Sequence, residues 1–81
     1  MSKLDEIERW AVGSCRDLGL DPGDGGDDFF VIGGTSIGVL RLVAGAEQRY
    51  GAGVLSPDDV YKHRVLREIA TVVHRNGGAA G

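Results

Sequence analysis

Between Gly19 and Thr35 the chain has the composition of neither a helix nor a strand. Gly19, Gly23, Gly25, Gly26, Gly33, Gly34 and Pro22 fall here, interleaved with Asp21, Asp24, Asp27 and Asp28, and this is turn chemistry. A loop that long is uncommon inside a small domain unless it has a function or is held down by its own side chains. Leu20, Phe29, Phe30 and Ile32 are the residues fit to hold it. The loop ends on Phe29-Phe30-Val31-Ile32, then Gly33-Gly34, then the hydroxyl pair Thr35-Ser36. Paired glycines let the backbone turn freely and stand clear of side chains. Thr35 and Ser36 then fall where an N-cap and a first helical turn belong. Ser36 is therefore expected at an exposed loop-to-helix junction. A phosphate on its oxygen would meet unsatisfied N–H groups and the positive end of a helix dipole.

Helical patterns flank the loop on both sides. Ser2 is a plausible N-cap for a first helix over about Lys3 to Leu18, with Asp5 and Glu6 in its first turn. Leu4, Ile7, Ala11, Cys15 and Leu18 recur at helical spacing, and Gly13 weakens this helix by about 1 kcal/mol relative to alanine. A second helix is expected from Ser36 to Tyr50. Val39, Leu42, Val43 and Ala46 form its core stripe, with Ile37, Leu40 and Arg41 on a neighbouring face. Gly38 and Gly45 thin its side-chain cover. At Gly38 two readings stand side by side: close approach by a partner or by a group attached to the serine, and simple drift. Ser56-Pro57 pairs an N-cap with a helix-start proline and opens a short helix through about Tyr61. A last helix is expected from about Val65 to His74, with Leu66, Ile69, Ala70 and Val73 inward and Arg67, Glu68, Thr71 and Arg75 outward. The fold class is all-α: four helices, one of them short, with a long loop between the first two.

Eighty-one residues make one domain, with a structured core over about 3–75 and a flexible Gly/Ala tail over 76–81. A chain of this size buries roughly 60–65% of its unfolded surface, so its core is thin and an enclosed catalytic pocket is hard to fit. A formal charge of −3 and a pI near 5.2 argue against nucleic acid, which needs a basic stripe. The lone Cys15 excludes an internal disulfide and suits a reducing cytoplasm. No signal peptide opens the chain and no apolar run approaches about 18 residues, so no membrane role is expected. Met1-Ser2 and the Gly77–Gly81 tail read as the ends of a free-standing polypeptide, with an excised module as the alternative.

The run Phe29-Phe30-Val31-Ile32-Gly33-Gly34-Thr35-Ser36-Ile37 resembles the prosthetic-group attachment motif of peptidyl and acyl carrier proteins. The resemblance continues through Arg41-Leu42-Val43-Ala44, Tyr50-Gly51, His63 and Leu66-Arg67-Glu68-Ile69-Ala70, and covers roughly residues 4 to 74. It implies a monomeric four-helix carrier in which Ser36 accepts 4′-phosphopantetheine from coenzyme A through a separate phosphopantetheinyl transferase. The terminal thiol then carries an aminoacyl or acyl thioester, loaded by an adenylating or acyl-loading enzyme and passed to condensation or tailoring enzymes. The chain itself catalyses nothing in this reading. Ile37 and Leu40 become an apolar landing patch for those enzymes, with Thr35 and Arg41 as further recognition residues. The paired aromatics and glycines look more like peptidyl carriers of nonribosomal peptide synthesis than fatty-acid carriers. Two departures stand out. Thr35 occupies a position where carriers commonly have aspartate or histidine. Arg64-Val65 replaces the Pro-Thr pair that usually opens the last helix, so that helix needs its cap from elsewhere or its first turn frays.

Other readings of the same residues are plainer. The Asp21–Asp28 cluster lacks the spacing and terminal glutamate of a calcium loop and reads as a solvated acidic turn. Asp58 and Asp59 read as first-turn dipole partners. His63 and His74 are far apart and suggest no nucleophile–base pair. Cys15 reads as a small buried hydrophobe, and Trp10 and Tyr61 as core or core-edge residues. Two alternatives to a peptidyl carrier stay open: an acyl carrier of a polyketide or fatty-acid pathway, and a helical interaction module that carries no group.

Overall fold

Ser2 and Asp5 close the start of the first helix on each other. The Ser2 hydroxyl accepts the Asp5 N–H, and the Asp5 carboxylate accepts the Ser2 N–H, which satisfies two donors that a bare helix end leaves orphaned. In the computed structural model, which describes residues 2–78, this helix is α1 (Lys3–Asp17). It is followed by α2 (Ser36–Tyr50), α3 (Pro57–His63) and α4 (Leu66–Val73). A wide π-turn, His74–Gly78, extends α4, and Asn76 Nδ2 ties it to the Val54 carbonyl at 3.1 Å. The chain is an all-α four-helix bundle. The boundaries of α2 are those expected, and α1 ends one residue early. The short helix continues to His63, past the expected Tyr61. The helical path runs to Gly78, three residues beyond the core limit set from the sequence, and the rest of the tail, 79–81, lies outside the described residues.

The core is one cluster fed by every helix. Ile7, Ala11 and Cys15 come from α1, and Val39, Leu42, Val43 and Ala46 from α2. Val54, Leu55 and Val60 come from in and around α3, and Leu66, Ile69, Ala70, Val72 and Val73 from α4. The periodic stripes therefore face inward as read, with Val72 added. α1 packs most extensively against α4. Phe29, fully enclosed, is the one residue of the loop between α1 and α2 that belongs to this cluster among the described residues. Leu20, Phe30 and Ile32 pack against it from outside, so the four expected tethers all engage.

Gly45 of α2 lies under Trp10, whose Cζ2 is 3.5 Å from where a Cβ would stand. Trp10 meets Tyr50 edge-on at 5.6 Å and stays at the core edge. Tyr61 departs from expectation: it is exposed on α3, held by stacking on Phe30 rather than by the core.

The missing side-chain cap of α4 is replaced by backbone. Val65 is the N-cap and makes no side-chain capping bond. The Leu66 N–H instead donates to the Asp27 carbonyl at 3.0 Å, and the Arg67 N–H to the Gly25 carbonyl at 2.8 Å. The glycine-rich loop thus caps the last helix. The first turn of α4 does not fray, because its orphaned donors are met from a loop some forty residues upstream.

Candidate functional site

The loop is braced by its own aspartates before it reaches α2. Asp27 Oδ2 accepts the N–H groups of Gly23 and Asp24, and Asp24 Oδ1 accepts that of Gly26. These are local side-chain-to-backbone turns, so the acidic cluster is internal scaffolding. Asp28 joins the loop to the far end of the bundle. Its Oδ1 accepts the Phe30 N–H at 2.8 Å and the Val31 N–H at 3.2 Å, while its Oδ2 accepts Arg64 Nε at 2.9 Å. Partial burial works against the Asp28 charge, but the Phe30 N–H, the Arg64 guanidinium and the Val31 N–H outweigh it. The carboxyl is held below the usual carboxylate range.

Arg64 is itself unusual. With φ 63° and ψ −44° it forms a γ-turn, closed by the Val65 N–H on the His63 carbonyl at 2.6 Å, a sparsely populated backbone for a residue with a side chain. Three contacts hold it there: Asp28, the Phe30 ring 5.2 Å from its guanidinium, and the Phe29 N–H on its carbonyl at 2.7 Å.

With Phe29 enclosed, the glycine pair can turn the chain onto α2. Gly33 has φ 108°, open to glycine and strained for other residues. The Gly34 N–H donates to the Phe29 carbonyl at 2.8 Å, and a Cβ on Gly34 would collide with the Phe29 ring. The approach at Gly38 comes from the same ring: Phe29 Cζ lies 3.2 Å from where a Gly38 Cβ would be. A close neighbour at Gly38 thus comes from within the chain itself, in addition to the approaches that the sequence suggests. The glycine makes room for the loop's own anchor.

Thr35 is the N-cap of α2. Its Oγ1 accepts the Gly38 N–H at 3.2 Å, and its carbonyl accepts the Val39 N–H at 2.9 Å. Because Thr35 does the capping, Ser36 is released from it. Ser36 is the first helical residue, exposed, and its hydroxyl bonds to no other described residue. Ile37 and Leu40, on α2 with Ser36, are 66% and 60% exposed, and Val31 of the loop and Tyr61 of α3 are exposed apolar residues at 77% and 49%. Phe30 links Tyr61 to the core, edge-on to Phe29 at 5.2 Å and stacked on Tyr61 at 5.2 Å. Arg41 is exposed, its guanidinium unpaired among the described residues, and the first turn of α2 carries no acid. From the sequence, Tyr61 reads as a core or core-edge residue and Val31 only as part of the run that leads into the glycine pair. The only signal for Tyr61 was its place on the outer side of a two-turn helix. Val31 sits among apolar neighbours that point the other way.

Cys15 is fully enclosed, and burial pushes its thiol up to about 11, so it is not a nucleophile at neutral pH. Among the described residues no helix is long and apolar enough to cross a membrane.

Comparison with known proteins agrees with this geometry. Residues 15–73 match the family described as the phosphopantetheine attachment site. The chain is 37% identical over 67 residues to malformin synthetase of Aspergillus sclerotiicarbonarius, covering 80% of this chain and 1% of that protein. It is 44% identical over 46 residues to a nonribosomal peptide synthetase of Aspergillus terreus, covering 57% of this chain and 2% of that protein. It is 38% identical over 56 residues to atromentin synthetase of Serpula lacrymans, covering 69% of this chain and 6% of that protein. The chain spans only a few per cent of the length of these relatives. No solved structure matches it significantly. Most of the chain lies inside the family match, and that match includes the whole glycine-rich loop and the start of α2: the chain belongs to the phosphopantetheine attachment site family, whose members carry 4′-phosphopantetheine covalently on a serine.

Proposed function

We propose that Ser36 is the attachment point of 4′-phosphopantetheine and that the chain carries aminoacyl intermediates in nonribosomal peptide biosynthesis. The observation that carries this reading is the Ser36 hydroxyl: exposed, unbonded and first in α2, directly after a glycine pair inside the matched family segment. The residues present fit such a group. Gly33 and Gly34 put no side chain beside the serine. Thr35 uses up the Gly38 and Val39 N–H groups, which leaves those of Ser36 and Ile37 for a phosphate oxygen at the positive end of the helix. When bound, the arm supplies a terminal thiol on which cargo is held as a thioester.

The chain's own part is to present and to be recognised. The Ser36 hydroxyl has no hydrogen-bonded base among the described residues, so its activation falls to a phosphopantetheinyl transferase. Thr35, Ile37, Leu40 and Arg41 form the recognition surface for that enzyme, for an adenylating enzyme and for condensation or tailoring enzymes, and Val31 and Tyr61 extend it. Tethering then replaces diffusion with a high local concentration of cargo. The chain acts as a monomer in the cytoplasm, a setting that suits an unpaired thiol at Cys15. The name of one relative, the nonribosomal peptide synthetase of Aspergillus terreus, supports a peptidyl cargo.

The test is loading. The arm-bearing chain is offered to cognate adenylating enzymes with amino acids and ATP, and to acyltransferases with acyl-coenzyme A, and its intact mass is read. Gain of an aminoacyl mass is the expected result. Acyl loading alone would reassign it to a polyketide or fatty-acid pathway, and failure to accept the arm at all would leave a helical interaction module.

A further inference from the structure

Beside Ser36, on the side of α2 that turns toward the end of α1, lies a groove of about 150 Å³. Leu18 and Leu20 line it together with Gly33, Thr35, Ile37, Gly38 and Arg41. The two glycines hold it open. Leu20 Cδ2 comes within 3.4 Å of the Gly33 Cβ position, and Leu18 Cδ1 within 3.9 Å of the Gly38 Cβ position. The space these leucines border is therefore space that side chains at those two positions would begin to fill.

We infer that this groove is the resting place of the chain's own phosphopantetheine arm, holding the branched pantoyl segment next to the phosphate, with Arg41 paired to the phosphodiester. The inference rests on Ser36 being the attachment residue. Three observations select this occupant. Thr35 and Ile37, the two residues that flank Ser36 in the chain, both line the groove, so a group attached at Ser36 starts next to it. Leu18, Leu20 and Ile37 give it an apolar part, which suits a gem-dimethyl carbon, and a volume of about 150 Å³ is that of a cavity able to take a molecule the size of benzene. The pantoyl segment is comparable in size, whereas the whole arm is not, so the thiol end stays outside and accessible to partner enzymes. Finally, Arg41 is a cation with no partner among the described residues, on a stretch of helix with no acid in its first turn. A phosphodiester tethered at Ser36 is the anion that complements it. Docking here leaves Leu40, which does not line the groove, free for partners while the arm is parked.

The experiment compares the apo and arm-bearing chains by NMR, after intact mass has shown that the arm is attached. Nuclear Overhauser contacts are expected from the gem-dimethyl protons to the methyls of Leu18, Leu20 and Ile37, with amide shifts at Leu20 and Gly33. In Arg41→Gln and in Leu20→Ala, each driven to full arm mass with excess transferase whatever the rate of attachment, the remaining contacts weaken or vanish and the gem-dimethyl lines sharpen. A chain that gains the arm but shows shifts only next to Ser36, with no contact to Leu18 or Leu20, overturns the docking and leaves the carrier reading intact. A chain that gains no arm mass overturns both.

Discussion

Phe29 and Gly34 share one volume: the Phe29 ring fills the place where a Gly34 Cβ would stand, and the Phe29 carbonyl oxygen lies 2.6 Å from it. The last residue before the Thr35 cap is thus a glycine for a steric reason, and the anchor of the loop sets the position of Ser36. Gly34→Ala has to displace either a fully buried ring or backbone. It should cost roughly 1–3 kcal/mol, a fall of several degrees or more in melting temperature for a domain this small. Gly13, in α1, has nothing within 4 Å of its Cβ position, so Gly13→Ala should stabilise by up to about 1 kcal/mol. Thermal melts followed by circular dichroism measure both. A Gly34→Ala chain that melts like wild type would place the Phe29 ring elsewhere.

The Asp28–Arg64 pair should give the fold a specific acid sensitivity. The folded state favours the ionised carboxyl and lowers its pKa. Its contribution is therefore complete above the ordinary aspartate value, near ~3.9, and is lost as pH falls through the lowered folded value. Asp28→Asn should be less stable than wild type at neutral pH, and the difference should shrink as the solution is acidified below the carboxylate range. Urea titrations at a series of pH values read this out. A stability gap that stays constant down to strongly acidic pH would mean that the carboxylate charge is not what matters.

The two faces of α2 should separate in one pair of variants. Leu42 is buried among the core residues, whereas Leu40 is 60% exposed on the face near Ser36. Leu42→Glu should unfold the domain, since an unpaired buried charge exceeds what so small a fold withstands. Leu40→Glu should leave helicity and melting near wild type and slow modification or loading by cognate enzymes, read from initial rates by mass spectrometry. Loading at the wild-type rate with every cognate enzyme would remove Leu40 from the recognition surface.

The parts of the fold legible in the sequence are those written in side chains close together along the chain. Thr35-Ser36 after two glycines marks the start of α2, and the Val39–Ala46 stripe marks its buried face, because caps and helical periodicity are local. The cap of α4 was illegible because the carbonyls of Gly25 and Asp27 supply it, and carbonyls have no sequence signature. Gly38 resisted explanation for a related reason, since the ring that crowds it arrives from nine residues away along an irregular path. Tyr61 was misplaced on the core edge because an aromatic on a short helix resembles a packing residue until its stacking partner, Phe30, is located. The γ-turn at Arg64 exists only because Asp28, Phe29 and Phe30 hold it. The candidate site was thus readable at Ser36 and its immediate flanks, while the surface around it was readable only in part.

The central claim is that Ser36 alone receives the prosthetic group. Incubating the chain with coenzyme A, magnesium and a broad-specificity phosphopantetheinyl transferase, and then measuring intact mass, tests it most directly. The account predicts a gain of one phosphopantetheine, located on the peptide containing Ser36, and no gain in Ser36→Ala even though that variant melts like wild type. A Ser36→Ala chain that still gains the mass, at Ser14, Ser56 or any other hydroxyl, would contradict it.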